Sequence, residues 1–442
     1  MRDERGHGRP RLSVITSRAA MTTCFRLTAA LAVALAPVLA RAFHDGGVGA
    51  CDGCHGMHVK PTGGAIAASL LLGSDPSSTC LNCHGGATPG GYQVLSTFVS
   101  GVTPPGNFTP GGDFAWLQRS FSWVGPGGAT ESSPGSGHGH NVVAYDALLE
   151  ADFASPTAPS GTYPSDKLSC ISCHDPHGRY RLDAGGSIRD QGRPIVASGS
   201  YADPQGGLPA GGAVGSYRLL GGVGYAPRSA GPVVPFSASP PAALAPKDYN
   251  RSERTADVRV AYGAGMSEWC RNCHGFIHDS PTPGAFNHPA GNDARLNAGN
   301  ALEIYNSYVR SGVLTGTQSS SYTSLVPYEE GTGDRSTLAS HAVSDGSVRS
   351  GPSTGQETVM CLSCHRAHAT AWDHALRWNN PPSGYIVVGG SWPGIDATGA
   401  ARLDEFAQGR TRAETEAAMY GRAASSYAEY QKVLCNKCHG QG

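Results

Sequence analysis

Hydrophobic and polar residues along this chain follow no sustained period. Stretches of tens of residues show neither the 3.6-residue repeat of an amphipathic helix nor the alternation of a half-buried strand. One exception begins at Asn300, where Asn300 and Glu303 have the spacing of a capping box. This pattern predicts a helix over residues 301–311 that is closed by Gly312.

A second capping-box pattern, at Thr411 and Glu414, predicts another helix near the end of the chain. The predicted helix passes through Tyr420, Tyr427 and Tyr430 and continues toward Cys435. Residues 214–220 and 385–389 have the composition of short strands. Because little else is patterned, we predict a coil-rich fold with few short helices and minimal strand.

An apolar run near the start, residues 27–40, has the features of an export signal. Arg26 precedes it, and an Ala-x-Ala site follows that ends at Ala42. Fourteen residues that include Pro37 are too short to span a bilayer. We therefore predict a secretory signal over residues 1–42, of which 1–20 come from a mis-called start, and a secreted protein at the outer cell surface or beyond.

Composition argues against a conventional apolar core. Gly (61) and Pro (31) are abundant, and only 39% of the residues are hydrophobic. Removing seven Arg and two acids with the signal leaves 33 − 7 = 26 basic and 34 − 2 = 32 acidic side chains, a net charge of −6. No basic patch indicates nucleic-acid binding. We predict that residues 43–442 form a single domain, and that a bound non-protein group occupies much of its interior.

The cysteines identify this non-protein group. Apart from Cys24, which lies in the signal, every cysteine belongs to a Cys-x-x-Cys-His motif, the attachment signature of c-type haem. Zinc sites and redox dithiols give no reason for a histidine after every second cysteine. The six cysteine pairs predicted to bond haem are Cys51/Cys54, Cys80/Cys83, Cys170/Cys173, Cys270/Cys273, Cys361/Cys364 and Cys435/Cys438, and the proximal iron ligands are His55, His84, His174, His274, His365 and His439.

The predicted fold class is therefore a multihaem cytochrome c, coil-rich and organised around a stack of six haems. Each iron needs a second axial ligand or leaves a position open to substrate. The remaining histidines of the mature chain are His44, His58, His138, His140, His177, His278, His288, His341, His368 and His374. Ten histidines for six irons favour bis-histidine ligation throughout, over the methionines Met57, Met266, Met360 and Met419. Because no Cys-x-x-Cys-Lys motif occurs, electron conduction is favoured over catalysis at iron.

Three motifs carry a further histidine at one spacing, in CHGMH (His58), CHDPH (His177) and CHRAH (His368), and CHGFIH (His278) is one residue longer. A histidine so close to the proximal ligand cannot reach the far face of the same porphyrin. It can reach a neighbouring iron, which would hold two haems in contact.

The mature chain resembles the outer-surface hexahaem cytochromes of OmcS type from metal-reducing bacteria. The matching segments include Phe43-His44, GGDFAW at 111–116, TYPSDKLSCISCHDPHG at 162–178, RVAYGAGMSEWCRNCH at 259–274 and CLSCHRAHA at 361–369. The resemblance implies six bis-histidine haems in an unbroken stack and polymerisation into conductive filaments. It also implies that His58 ligates a haem of the adjacent protomer.

Histidines at positions that the family shares give eight candidates for the six distal ligands, so two remain unassigned. They are His44, His58, His140, His177, His288, His368, His278 and His341, of which the last two are the weakest, whereas His138 and His374 do not match the family.

The function predicted from this resemblance is extracellular electron transfer by a head-to-tail homopolymer. Its electron donors would be periplasmic or outer-membrane cytochromes, and its acceptors metal oxides or partner cells. The alternatives are a monomeric carrier or terminal metal reductase at the cell surface, and an enzyme with one five-coordinate haem. Filament formation separates the first two, and a high-spin ferric signal would identify the third.

Overall fold

The computed structural model describes Met1 and residues 53–56, 70–86, 92–97, 103–183, 187–189, 195–197 (backbone only), 213–227, 234–246, 252–254, 258–277 and 288–440. The chain divides into two compact units, Met1–Arg41 and Ala42–Gly442. Cys51, His44, His58, His278 and, apart from Met1, the predicted signal lie outside the described residues.

Short elements joined by long irregular segments make up the described residues, which confirms the predicted coil-rich fold. The α-helices are α1 (Pro76–His84), α2 (Cys170–Cys173), α3 (Met266–Cys270), α4 (Ala301–Ser307), α5 (Arg335–His341), α6 (Cys361–Cys364), α7 (Asp404–Ala407), α8 (Arg412–Ala418) and α9 (Asn436–His439). Single 3-10 turns occur at Phe114–Gln118, Gly135–His138, Tyr145–Ala147, Ser165–Lys167, Tyr217–Leu219, Gln318–Ser320, Asp373–Ala375, Gly399–Arg402 and Ala424–Ser426.

Strands of two to four residues form three small sheets. The strands are β1 (Phe121–Val124), β2 (Thr130–Ser133), β3 (Arg181–Leu182), β4 (Ile188–Arg189), β5 (Ile195–Ala197), β6 (Ala213–Gly215), β7 (Ala242–Leu244) and β8 (Ala261–Ala264). β1 and β2 pair antiparallel with Phe121 opposite Ser133, and β7 and β8 pair antiparallel as well. The third sheet has the order β4-β3-β6-β5, in which only β5 and β6 are parallel.

The helix predicted over 301–311 is shorter than expected, and its predicted cap is wrong. Asn300 makes no side-chain cap hydrogen bond, and the helix ends at Ser307 because Tyr308 is extended. The amide of Val309 instead donates to the carbonyl of Val313 at 3.0 Å. Gly312, with φ +76°, therefore belongs to a tight turn and does not close the helix.

The capping box at Thr411 is confirmed, but the helix that it begins ends early. The amide of Glu414 donates to Thr411 Oγ1 at 3.2 Å, and the amide of Thr411 donates to Glu414 Oε2 at 2.9 Å. The backbone turns left-handed at Tyr420 and Gly421, so the amide of Gly421 closes the helix by donating to the carbonyl of Glu416. Tyr427 consequently lies beyond the helix, as does the rest of the predicted span.

The two predicted strands are only partly formed. Within 214–220 the backbone leaves β6 after Gly215 and enters the 3-10 turn Tyr217–Leu219. Residues 385–389 contribute two isolated bridges, from Tyr385 to Lys432 and from Val388 to Ser391. Among the described residues, no helix combines the length and apolarity that a membrane crossing requires.

The largest cluster of buried apolar side chains combines aromatic and aliphatic residues. Phe114 and Trp116 of the 3-10 turn 114–118 pack there with Trp372, Trp378 and Trp392. This cluster holds the segment around the fifth motif against the C-terminal part of the chain, and thereby positions several candidate ligands.

Alanine substitutions at the two predicted N-caps should lower stability at Thr411, which caps its helix, and not at Asn300, which does not. Thr411→Ala removes a side chain that accepts a helix amide, so we expect the free energy of unfolding to fall by about 1 kcal/mol. Asn300→Ala, at the start of α4, removes no such bond and should change it by no more than a few tenths of a kcal/mol, roughly. Guanidinium titrations followed by circular dichroism measure both, and equal effects would contradict the assignment.

Candidate haem centres

The described cysteine motifs form short helical turns. Cys80 and Cys83 lie in α1, and the third and fifth motifs form α2 and α6. Cys270 ends α3, and Cys435 precedes α9. A helical turn brings two thiols separated by two residues to one side of the backbone, as attachment to a single porphyrin requires.

The third motif is held by a backbone arrangement that we call the carbonyl clamp. His174 Nδ1 donates to the carbonyl of Arg218 at 2.7 Å, and the amide of Asp175 donates to the carbonyl of Leu219 at 2.7 Å. Arg218 and Leu219 both have left-handed backbones, with φ +52° and +54°. This conformation is costly for residues other than glycine, and here it turns two successive carbonyls toward the motif.

The fifth motif has the same arrangement, and the first motif shares its backbone amide bond. His365 Nδ1 donates to the carbonyl of His374 at 2.8 Å, and φ is again positive at His374 and Ala375. In the first motif the amide of Gly56 donates to the carbonyl of Leu70 at 2.8 Å, and Leu70 has φ +52°. The three clamped motifs are the three in which a second histidine follows at one spacing, so the sequence pattern marks a structural repeat.

Hydrogen bonds to backbone carbonyls also orient other candidate ligands. Four Nδ1 atoms each donate to a backbone carbonyl. The bonds run from His84 to Tyr92 at 2.8 Å, from His274 to Pro159 at 2.8 Å, from His140 to Ala367 at 2.7 Å and from His288 to Pro289 at 2.9 Å. An imidazole whose Nδ1 carries the donated proton keeps the Nε2 lone pair for a metal. Burial lowers the pKa of His140 to about 4 and that of His368 to about 3, so both rings are neutral at pH 7.

One cation–π contact joins the orienting residues of the second and third motifs. The guanidinium of Arg218, whose carbonyl accepts from His174, lies 3.7 Å from the ring centroid of Tyr92, whose carbonyl accepts from His84. This contact links the segments that orient the two imidazoles.

The structure brings three proximal histidines together with three of the distal candidates. Ring centroids are 6.5 Å apart for His174 and His368, 6.0 Å for His274 and His140, and 5.9 Å for His439 and His288. Two imidazoles that bind opposite sides of one metal ion, each with a bond of about 2 Å, have centroids about 6 Å apart. All three pairs thus have the spacing that a bis-histidine iron requires.

The other described candidates have different surroundings. His177 is exposed, and its own amide donates to Asp175 Oδ1 at 3.0 Å. His341 Nδ1 donates to Glu330 Oε2 at 2.6 Å, and Glu330 also pairs with Arg259 at 3.0 Å.

His138 and His374, which do not match the family's histidine positions, have roles other than iron ligation. His138 is fully buried, with Nδ1 3.0 Å from the carbonyl of Trp116 and Nε2 2.8 Å from Ser133 Oγ, which occupies both ring nitrogens. His374 contributes its carbonyl to the clamp of the fifth motif.

Sequence reasoning missed the residues that surround His368. The ring of Phe114 stacks on His368 with centroids 4.7 Å apart, and a Cβ atom on Gly111 would lie 2.8 Å from His368 Nδ1. Gly112 has φ +98°, and a Cβ there would lie 2.0 Å from the carbonyl oxygen of Ala369. The GGDFAW segment, noted only as a mark of resemblance, leaves room for this ligand and packs against it.

Some N–H groups of buried arginines have no acceptor in the part of the chain that the structure describes. Arg366 Nη1 and Arg377 Nη1 both contact Glu253 Oε2, at 2.6 and 3.4 Å, so two cations share one carboxylate. Among the described residues, no hydrogen-bond acceptor lies near the buried Arg366 Nε and Nη2, Arg377 Nη2 and Arg410 Nε atoms. Unpaired buried N–H groups are costly, and anionic groups such as haem propionates would satisfy them.

Consecutive motifs are neighbours in space. The thiols of Cys80 and Cys170 are close enough to shift each other's pKa, and so are those of Cys270 and Cys361. Cys173 interacts electrostatically with Cys273, and Cys364 does so with Cys435. The described motifs therefore follow one another in a row in the order in which they occur along the chain.

Two serines at equivalent positions join neighbouring motifs through the backbone. The amide of Cys170 donates to Ser77 Oγ at 3.1 Å, and the amide of Cys361 donates to Ser267 Oγ at 3.0 Å. Each serine lies three residues before the first cysteine of the preceding motif, which is a further sign of an internal repeat.

A buried carboxyl group beside the fourth motif should make stability depend on pH. Burial raises the pKa of Glu329 to about 7, although the amide of Met266 donates to it at 2.7 Å. The folded chain then binds this proton more tightly than the unfolded chain, so stability is lost as pH rises from about 4.5 to 7. We expect the loss to be on the order of 3 kcal/mol and to disappear in Glu329→Gln, measured as unfolding free energies at pH 5 and pH 8.

Glu357 is the matched control, with the opposite sign. Burial acts to raise its pKa, but hydrogen bonds from the amides of Thr354 and Ser353 outweigh burial and lower it. Its stabilisation is present above its ordinary pKa and is lost as pH falls, so Glu357→Gln should destabilise the protein at pH 8. If Glu329→Gln also destabilised it at pH 8, the assignment for Glu329 would be wrong.

Comparisons with known proteins agree with the motif pattern. No family model matches the chain. The chain is 46% identical over 431 residues to the C-type cytochrome OmcS of Geobacter sulfurreducens, covering 93% of this chain and 97% of that protein. It also matches two solved structures, an outer membrane cytochrome S filament and OmcS nanowires from that organism. Each has a TM-score of 0.79 and 44% identity, over 90% of this chain and 100% of the other.

Proposed function

Because this chain belongs to the family of c-type cytochromes that contains OmcS, we propose that it carries electrons outside the cell through six bis-histidine c-type haems. We further propose that copies of it polymerise head to tail into a conductive filament. The filament would accept electrons from periplasmic or outer-membrane cytochromes and pass them to Fe(III) or Mn(IV) oxides or to partner cells. The observation that carries the proposal is the single row of neighbouring motifs in a chain so similar to OmcS.

Haem c supplies one-electron Fe(III)/Fe(II) chemistry when bound. The chain's own residues bind and orient it, with two thiols per motif for attachment and an imidazole Nε2 held ready by the hydrogen bond at Nδ1. A histidine on both sides of every iron leaves no position for a substrate. This arrangement favours conduction over catalysis.

The three observed histidine pairs suggest the remaining distal ligands, because the clamped motifs repeat. His368, after the fifth motif, lies opposite His174, the proximal ligand of the third motif. By equivalence, His177, after the third motif, would be the distal ligand of the iron that His55 of the first motif binds. His58, after the first motif, would then be the distal ligand of the iron that His365 binds in the adjacent protomer. The filament would thereby continue the internal repeat.

The unclamped motifs follow a second rule. His140 precedes the third motif and pairs with His274 of the fourth, and His288 precedes the fifth motif and pairs with His439 of the sixth. By equivalence, His44 would be the distal ligand of the iron that His84 of the second motif binds. The two rules use six of the eight candidates and leave His278 and His341 without an iron.

Replacing His58 tests the protomer junction. We expect His58→Ala to prevent filament assembly while haem remains attached at Cys51 and Cys54, because only the ligand to the neighbouring copy is lost. Electron microscopy of material sheared from intact cells would show single protomers in place of filaments. Normal filaments from this variant would overturn the junction.

His341→Ala is the matched control. It removes a histidine whose Nδ1 is bound to Glu330, and it should leave both filaments and low-spin haem unchanged. If filaments were absent from the unmodified protein as well, the monomeric carrier or terminal reductase would replace the filament proposal.

Gly111→Ala tests the ligand role of His368. A Cβ atom at Gly111 would displace the imidazole, so one haem of six should become high-spin in the ferric electron paramagnetic resonance spectrum. Gly106→Ala is the control, because a Cβ atom there meets nothing within 4 Å. Uniformly low-spin haem in Gly111→Ala would show that His368 is not a ligand.

A further inference from the structure

Lys437 is a buried cation inside the sixth cysteine motif. It lies between Cys435 and Cys438 and is only 4% exposed. Its Nζ donates to the carbonyls of Tyr305 and Tyr308, at 2.8 and 3.1 Å. The same atom is 4.4 and 5.6 Å from the ring centroids of these two tyrosines.

This surrounding solvates the ammonium group without neutralising it. Carbonyl dipoles and the faces of aromatic rings stabilise a cation but carry no net charge. In the part of the chain that the structure describes, no carboxylate forms an ion pair with Lys437. The positive charge also acts on the sulfur of Cys438, one of the two atoms that would bond the porphyrin.

The sixth motif differs from the other five in the residues between its two cysteines. The residues between the two cysteines of those motifs are Asp52-Gly53, Leu81-Asn82, Ile171-Ser172, Arg271-Asn272 and Leu362-Ser363. Only Arg271 among them is cationic, and it is exposed, so water and salt screen its charge. A buried cation within a described motif is therefore specific to the C-terminal end of the row.

We propose that Lys437 sets the reduction potential of the haem held by Cys435 and Cys438, and raises it. Reduction of Fe(III) to Fe(II) takes one positive charge away from the centre, so a nearby cation in a poorly polarisable surrounding favours the reduced form. The inference rests on the proposed function only in that the sixth motif carries haem. In a filament the same charge would recur once per protomer.

The test is a spectroelectrochemical titration of the haem-loaded, full-length protein. Lys437→Met should shift one-sixth of the haem absorbance to lower potential, by at least tenfold in the reduction equilibrium, which is about 59 mV for one electron. Lys437→Arg retains the charge and should stay close to the unmodified protein. Lys167→Met is the control, because Lys167 lies three residues before Cys170 but is 47% exposed and pairs with Asp166 at 3.2 Å.

A purely structural role for Lys437 predicts a different result. If the side chain only anchors α9 to the C-terminal carbonyls of α4, Lys437→Met lowers the unfolding free energy but leaves all six potentials in place, which overturns the proposal. Should that variant lose haem or fail to fold, Lys437→Gln, neutral but still able to donate, is titrated with the same expectation. Filament assembly is scored separately, so its failure leaves the potentials measurable.

Discussion

A hydrogen bond from an imidazole Nδ1 to a backbone carbonyl is the interaction on which the rest of this structure depends. It fixes which ring nitrogen is free and in which direction that nitrogen points. The acceptor carbonyl must be turned toward the motif, and in the carbonyl clamp this requires left-handed backbone at Arg218 and at His374. Each such residue costs on the order of 1 kcal/mol or more, which the surrounding contacts must offset.

The scarcity of regular structure follows from the same requirement. A motif helix need only be long enough to align two thiols, and the flanking chain must then leave the helical path to deliver a carbonyl. Glycines serve this purpose where the backbone itself has to pass close to a ligand, as Gly111 and Gly112 do beside His368 and Ala369.

Local signals in the sequence were sufficient for the cysteine motifs and the Thr411 cap, because each depends on residues within one turn of another. The same kind of signal failed at Asn300, where the backbone of Tyr308 leaves the helix for a tight turn. The pairing of His140 with His274 joins distant segments, so spacing alone could not predict it. Positive φ at Arg218 was equally hidden, because arginine has no preference for that conformation.

The carbonyl clamp closes loops of very unequal length. The acceptor lies 9 residues from His365 but 44 residues from His174. Since the entropy of closing a flexible loop grows only with the logarithm of length, closing an unstructured 44-residue loop would cost about 1.4 kcal/mol more than closing one of 9 residues, before the pairing of β3 to β6 within the longer segment is counted. Insertions between a motif and its clamp are therefore cheap, provided that the last few residues still reach the histidine. Evolution can remodel the outer surface of such a protein, through loops that gain or lose dozens of residues, while the geometry of its redox centres is inherited unchanged.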